Sequence, residues 1–266
     1  MEPDGRTLLT VLSGTVEFGN PQGTLTLSAN EAAYAEVGKA PVKLMLVQPR
    51  ESVQWVNALQ ADPLPHLAAE PLPAALEPVR AALAAGQIDR ARSALAQTRT
   101  QAPAAWGAAL ELAIALQAGQ WPEARALAQQ QMPQRPPLPV WLMQSDLLLM
   151  GGEGQAAVAT LQDALQQWPA HPALLAQLAR AQLLQDRAGE AAATLAQGQA
   201  PHPELALARG ALARRQGDAP STLAAYTEAT QLAPQDARGW LGLGSAHTER
   251  EDTGPARQHL QQAIAL

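Results

Sequence analysis

Five histidines are the side chains of this sequence with the greatest potential for metal binding or acid–base chemistry: His66, His171, His202, His247 and His259. A zinc site would require ligands at a characteristic spacing, such as HExxH, and neither that motif nor any cysteine is present. His171 and His202 each precede a proline, where a solvated polar residue in a turn is expected. The histidines therefore predict no metal site and no catalytic residue.

Two glycine-rich stretches superficially resemble catalytic or phosphate-binding loops. "GLGSA" (242–246) lacks the GxSxG spacing of a nucleophile elbow, and "GGEG" (151–154) lacks the Lys-Ser/Thr of a phosphate loop. The neighbouring carboxylates Glu249 and Glu251 fall in a predicted exposed turn, where nothing would shift their acidity. We expect no enzyme activity and no cofactor.

Composition narrows the classes of partner. The net charge is −6 and the lysines are Lys39 and Lys43, whereas phosphate backbones are bound by clustered Lys and Arg. Glu111 interrupts the longest apolar stretch, so none reaches the roughly 18 to 20 residues of a membrane span. The sequence predicts neither nucleic-acid binding nor direct membrane insertion, and it leaves the oligomeric state open.

The elements that would position any site are internal repeats. Shifting the C-terminal stretch back by 34 residues places Gly244 on Gly210, Leu260 on Tyr226 and Ala263 on Ala229. Further steps give frames that open at residues 72, 105, 138, 172, 203 and 237. The pattern resembles the tetratricopeptide repeat (TPR), a unit of 34 residues with two helices, A and B.

The resemblance rests on size-selected positions that recur along the frames. The eighth position is small, as at Gly210 and Gly244, and the twenty-fourth is large, as at Tyr226 and Leu260. The twentieth position is alanine in five frames, at Ala91, Ala124, Ala157, Ala191 and Ala256. Small residues let helix A approach helix B, and the large residue fills the neighbouring groove. The resemblance implies a mostly α fold, a TPR α-solenoid of about six helix–turn–helix repeats over residues 74–266.

Two departures from the pattern are expected to affect the helices. Pro78 falls inside the first helix A, and the fourth frame has 31 residues, which should shorten its helix B. The sixth frame stops at Leu266, before its proline. Because a terminal repeat normally requires a polar capping helix, we expect the chain to be a fragment of a longer protein.

Residues 1–60 follow a different pattern, with period-two alternation and Gly-rich turns. This pattern predicts a small antiparallel β domain with strands near 7–12, 14–18, 23–28, 32–37 and 42–47. A short helix is expected at 49–60, and the proline-rich residues 61–73 are expected to form an irregular linker. The stretches "GRTLLTVLSGTVEF", "GTLTLSANEAAYAEVGKAP" and "PRESVQW" resemble the C-terminal part of a FecR-type domain. That resemblance implies a bacterial cell-envelope or periplasmic protein.

The TPR resemblance implies that positions 2, 5, 6, 9, 12 and 13 of each helix A line a concave, partner-binding face. We expect a peptide or protein segment there, with Arg180 and Arg214 binding its acidic groups and Met143 and Leu207 making apolar contact. The predicted binding residues are Leu142, Met143, Asp146, Gln177, Arg180, Leu207, Arg214, Arg215, Arg238 and Leu241.

The leading hypothesis is therefore a non-catalytic interaction scaffold of the bacterial envelope. Two alternatives remain open from the sequence: a cytoplasmic TPR adaptor, and the regulatory region of a larger enzyme.

Overall fold

The computed structural model describes residues 7–11, 15–28, 31–44, 62–98 and 101–266. The chain divides into two units, residues 1–60 and 61–266, each with its own packing. The helix predicted at 49–60 lies outside the described residues.

The first unit contains antiparallel strands, which confirms the predicted β domain. Its strands are β1 (Thr7–Val11), β2 (Thr15–Asn20), β3 (Gly23–Ser28), β4 (Glu31–Ala35) and β5 (Val42–Leu44). β4 pairs with β1 on one side and β5 on the other, and β2 and β3 form a hairpin. The alternation has the expected consequence in β3, where Leu27 is buried and Thr26 and Ser28 are exposed. Leu27 packs with Val11 and Ala33 in a small core.

The second unit is built from α-helices. A short α1 (Leu64–Leu67) and a 3₁₀ turn (Ala74–Leu76) precede six helix pairs in the described chain from residue 77 to 266. The A helices are α2 (Glu77–Ala84), α4 (Ala104–Gln117), α6 (Leu138–Met150), α8 (Pro172–Leu184), α10 (Pro203–Arg215) and α12 (Ala237–Glu249). The B helices are α3 (Ile88–Thr98), α5 (Trp121–Gln131), α7 (Gly154–Gln167), α9 (Ala188–Leu195), α11 (Ala219–Leu232) and α13 (Thr253–Ala265). Each A helix packs on the B helix that follows it, as the predicted solenoid requires.

Small residues set the distance between the helices of a pair. A Cβ atom added to Gly210 would lie 2.8 Å from the ring of Tyr226, and one added to Gly244 would lie 2.6 Å from Leu260 Cγ. The predicted pairing of a small eighth residue with a large twenty-fourth residue is therefore confirmed in the last two repeats.

Every A–B turn uses one left-handed residue at the fifteenth position of its frame. Glycine occupies this position at Gly86, Gly119, Gly152 and Gly217, while the fourth and sixth repeats use Asp186 and Glu251. In each turn the next amide donates to a carbonyl five residues before it, as in Glu153 N to Leu148 O at 2.8 Å. This bond is characteristic of a helix C-terminal motif that needs positive φ, and it explains the glycine of "GGEG".

Both expected irregularities are present. α2 begins at Glu77, which places Pro78 in the first turn, where the missing amide proton has no cost. The first A helix is consequently only 8 residues long. In the fourth repeat α9 also has 8 residues, compared with 14 in α7 and α11.

Residues 61–73 were expected to form an irregular linker, and within them the structure has one regular element. Leu64–Leu67 forms a helical turn, and Leu67 is buried with Leu76 in the apolar core of the first repeats. The prolines do limit this helix to one turn, but they do not prevent the segment from packing against the repeats.

Candidate protein-binding face of the helical repeats

The predicted binding residues lie on the consecutive A helices α6, α8, α10 and α12, which contact one another in that order. Their accessibility divides them into two groups. α6 is buried along most of its length, and Leu142 and Met143 have almost no exposed surface. The prediction that these two side chains contact a partner is therefore wrong for this conformation, since both belong to the core.

Residues 62–72, here called the groove segment, cover part of α6. His66 Nε2 lies 2.6 Å from Asp146 Oδ2, and the amide of Leu138 donates to Glu70 Oε2 at 2.9 Å. Leu138 and Asp146 are eight residues apart, about 12 Å along the helix, so the segment runs antiparallel to α6. Sequence patterns did not predict these contacts, because His66 and Asp146 are 80 residues apart and Glu70 and Leu138 are 68 residues apart.

Asp146 is at the centre of this contact rather than on an open surface. Its side chain is 4% exposed. Oδ2 faces His66, while Oδ1 accepts from Gln177 Nε2 at 2.5 Å and from Arg180 Nη1 at 3.3 Å. Burial raises the pKa of Asp146, but His66, Arg180 and Gln177 together lower it below its usual value. The carboxylate stays charged because three side chains compensate its burial.

The predicted arginines are accessible, but each is already paired with a carboxylate of this chain. Arg214 Nε donates to Glu249 at 2.7 Å, and Arg215 Nη2 donates to Asp186 at 2.7 Å. These bonds connect α10 to α12 and to the turn after α8. A partner's carboxylate would therefore have to displace an internal one to bind these arginines.

Arg238 makes the most extensive of these pairs. Its Nη1 donates to Glu204 Oε2 at 3.1 Å, joining α12 to α10, and its Nε donates to both oxygens of Asp236. Burial would lower the pKa of Arg238, but its hydrogen bonds to Asp236 and Glu204 raise it above its usual value. This arginine therefore stabilises the junction of the last two repeats.

Apolar side chains remain exposed on the later A helices. Leu207 on α10 is half-buried, and Leu241, at the equivalent position of α12, is 53% exposed. Leu184 ends α8 and is 66% exposed. Leu184 was missing from the predicted residues, although it occupies the thirteenth position of its frame. Together these three leucines and the paired arginines form the accessible A face of repeats 4 to 6.

The structure gives the histidines structural roles. His202 caps α10, with its Nδ1 accepting from the amide of Glu204 at 3.2 Å. His171 precedes α8, and burial lowers its pKa while the backbone of Ala69 acts in the opposite direction. Both are half-buried, so the expectation of simply solvated turn residues is wrong. In the last repeat, His259 stacks between Trp240 and His247, with centroid distances of 5.7 and 5.4 Å.

A cleft of about 270 Å³ lies between α4 and the end of α5. It is lined by alanines of α4 and by Gln130, Gln131 and Gln134, and Gln131 donates to Ala108 O at 3.0 Å. Its size is below that of most ligand pockets, and its lining offers no nucleophile with an adjacent base.

Comparison with known proteins identifies the repeats. Two sequence families, both described as "Tetratricopeptide repeat", match residues 77–138 and 207–266 in one case and 148–215 in the other. Together these matches cover more than half of the chain. The chain belongs to the tetratricopeptide repeat family.

Solved TPR structures share the fold. The chain is similar to TTC0263, a thermophilic TPR protein of Thermus thermophilus, with 21% identity and a TM-score of 0.56, over 66% of this chain and 100% of that one. It is also similar to the APC/C hetero-tetramer Cut9–Hcn1, with 15% identity and a TM-score of 0.60, over 82% of this chain and 46% of that one. A comparison with curated proteins finds no match.

TPR proteins generally mediate protein–protein interactions, and the fold is typically a non-catalytic module. In the part of the chain that the structure describes, no cluster of three or more His, Asp or Glu side chains could hold a metal ion. No helix among these residues is both long and apolar enough to span a membrane.

Proposed function

We propose that this chain is a non-catalytic protein-interaction scaffold that binds a protein segment on the accessible A face of repeats 4 to 6. The observation that supports this proposal most directly is a set of leucines on consecutive A helices, of which Leu184 and Leu241 are exposed and Leu207 is half-buried. The arginines on the same A helices are paired with carboxylates of neighbouring repeats, so this face combines leucines with charged side chains. An apolar centre within a polar rim is the usual composition of a protein interface.

The charge of this face also limits the partner. Arg214, Arg215 and Arg238 are each neutralised by a carboxylate of this chain. Exposed ion pairs of this kind contribute about 0–1 kcal/mol each, so a partner can exchange them without a large loss. We therefore expect a partner segment with apolar side chains for the leucines and charges of both signs around them.

Site-specific photo-cross-linking in cells of the source organism tests this face. A benzoylphenylalanine replaces Leu241 in one variant and, as a matched control, Leu232 in another. Leu232 is 40% exposed but lies on α11, a B helix. The expected result is a discrete cross-linked protein at position 241 that is absent at position 232, and that Leu207→Glu reduces. Equal products at both positions, or none at 241, would refute the proposed face.

The proposed location is the bacterial cell envelope. This proposal is supported by the resemblance of three stretches, residues 5–18, 23–41 and 49–55, to a FecR-type domain. The test is fractionation of the full-length gene product from its native cells, with recovery in the envelope or periplasm as the expected result. Recovery in the cytoplasm alone would contradict it.

A further inference from the structure

The groove segment makes contacts with α6 of the kind that a bound peptide would make. Its Leu67 side chain is 1% exposed among leucines and alanines of the first repeats, while Ala68 beside it is exposed. On either side of Leu67, His66 meets the buried Asp146 and Glu70 meets the N-terminus of α6. A carboxylate at a helix N-terminus is stabilised by the amides and the helix dipole.

The segment has little structure of its own to keep it in place. The helical turn has only four residues; Pro63 precedes it, Pro65 lies in it, and Pro71 and Pro73 follow it. A single helical turn is unstable in water, so the ordering of this segment depends on its contacts with the repeats.

Asp146 would remain a specific recognition group if the segment left. Gln177 and Arg180 belong to the repeats and would stay on Oδ1, whereas Oδ2 would lose its bond to His66. With the segment gone, Oδ2 would face the vacated surface as a free, charged acceptor, and charge-assisted hydrogen bonding favours an incoming imidazole or cation there.

We infer that the groove segment is an internal ligand, which covers a second peptide-binding surface and is exchanged for a partner segment of the same chemistry. That partner carries a histidine or basic residue directly before a buried leucine, and an acidic residue three positions after the leucine. This surface lies on α6 and adjoins the accessible A face through Arg180, but its occupancy does not depend on Leu241.

The cis segment is expected to be a strong competitor. A tethered ligand has an effective concentration on the order of millimolar, so the chain would bind a partner tightly only when the segment is displaced or weakened. Competition from the groove segment would therefore restrict binding at α6 to partners that are abundant or that also contact the accessible A face.

A fluorescent peptide of residues 62–72 is the probe, and anisotropy with the complete 266-residue chain is the measurement. Leu67→Asp should displace the cis segment and leave the groove intact. Ala68→Asp is the matched control, because it adds the same charge one residue later on an exposed side chain. We expect the Leu67→Asp chain to bind the peptide at least about tenfold more tightly than the wild type or Ala68→Asp, as relief of cis competition predicts.

Specificity is tested on the Leu67→Asp chain with a peptide in which alanine replaces the histidine. Loss of a hydrogen bond to a charged group should weaken binding about tenfold or more. In Leu67→Asp/Asp146→Asn the same peptide change should have a clearly smaller effect. If the folded Leu67→Asp chain binds the wild-type peptide no better than the wild type does, the inference is overturned.

Hydrogen exchange on the wild-type chain tests whether the groove segment leaves α6, even if the Leu67→Asp variant does not fold. The amides of Leu67 and Ala68 donate to carbonyls within the segment. They should exchange much faster than the amides of α6, because the segment leaves without unfolding of the repeats. Exchange as slow as that of α6 would make the segment a permanent part of the core and overturn the inference.

Discussion

Substitution of Gly210 by alanine is the most direct test of how the repeats are packed. Gly210 lies in α10 opposite Tyr226 of α11, whose side chain is 7% exposed. A Cβ atom at position 210 would lie 2.8 Å from both Cε1 and Cζ of Tyr226. Carbon atoms in favourable contact are about 3.5–4.0 Å apart, so the ring would have to move by roughly 0.7 Å.

The ring has little room for that movement. Its other neighbour is Gly242 of α12, where an added Cβ would also collide with Tyr226. Tyr226 is thus held between the glycines of two successive A helices. Overpacking of such a site lowers the free energy of unfolding by about 2–3 kcal/mol. The higher helix propensity of alanine compared with glycine offsets about 1 kcal/mol of this loss. We expect Gly210→Ala to destabilise the chain by about 1–2 kcal/mol.

The measurement is urea unfolding followed by circular dichroism, with Gly107→Ala as the matched control. Gly107 also lies in an A helix, α4, and nothing lies within 4 Å of an added Cβ there. The control should therefore be neutral or stabilising by up to about 1 kcal/mol. Tyr226→Leu should recover part of the loss in the double variant, because a smaller side chain makes room for the methyl group. Equal stability of Gly210→Ala and Gly107→Ala would refute this account of the A–B contact.

Three other changes test the last repeats. Gly244→Leu should destabilise the sixth repeat by about 1–3 kcal/mol in urea unfolding, because even a Cβ there would collide with Leu260; unchanged unfolding would mean that this contact is not close-packed. Glu251→Gly should stabilise the folded chain by about 0.5–1 kcal/mol, because Glu251 has a φ of 62° in a turn where most other repeats use glycine. A lower melting temperature of this variant would contradict that account. Burial, and then the neighbouring His247, lowers the pKa of His259 below its usual value of 6.5. The unfolded chain therefore binds more protons than the folded chain as the pH falls through about 6.5, so this histidine contributes stability at neutral pH that is lost on acidification. The fall in melting temperature should be smaller in His259→Gln, and an equal fall would exclude this histidine as its source.

Much of the fold follows from local sequence patterns. Strand positions followed from alternation in residues such as Leu25 to Ser28, and the repeat register followed from the spacing of Gly210, Tyr226 and their equivalents. These signals can be read from the sequence because each reports a contact within one strand pair or one repeat, at a separation of tens of residues or fewer. The left-handed turn residues recur at a fixed position for the same reason.

The candidate site was less predictable, because the TPR positions specify which side chains face the groove but not what lies against them. Arg214 and Arg238 were correctly placed on exposed A helices. Their internal partners, Glu249 and Glu204, depend on the distance between repeats, which the sequence pattern does not give. Leu184 was missed, although the same position rule would have included it.

The sequence by itself determined the repeat length, the helix pairs and the small residues that bring them together. Only the tertiary structure decided that residues 62–72 lie on α6 and that Met143 and Asp146 are buried. The prolines of the segment describe its backbone preferences, and these correctly exclude a long helix. They carry no information about a surface 68 to 80 residues away, whose contacts with His66 and Glu70 form only when the repeats have stacked.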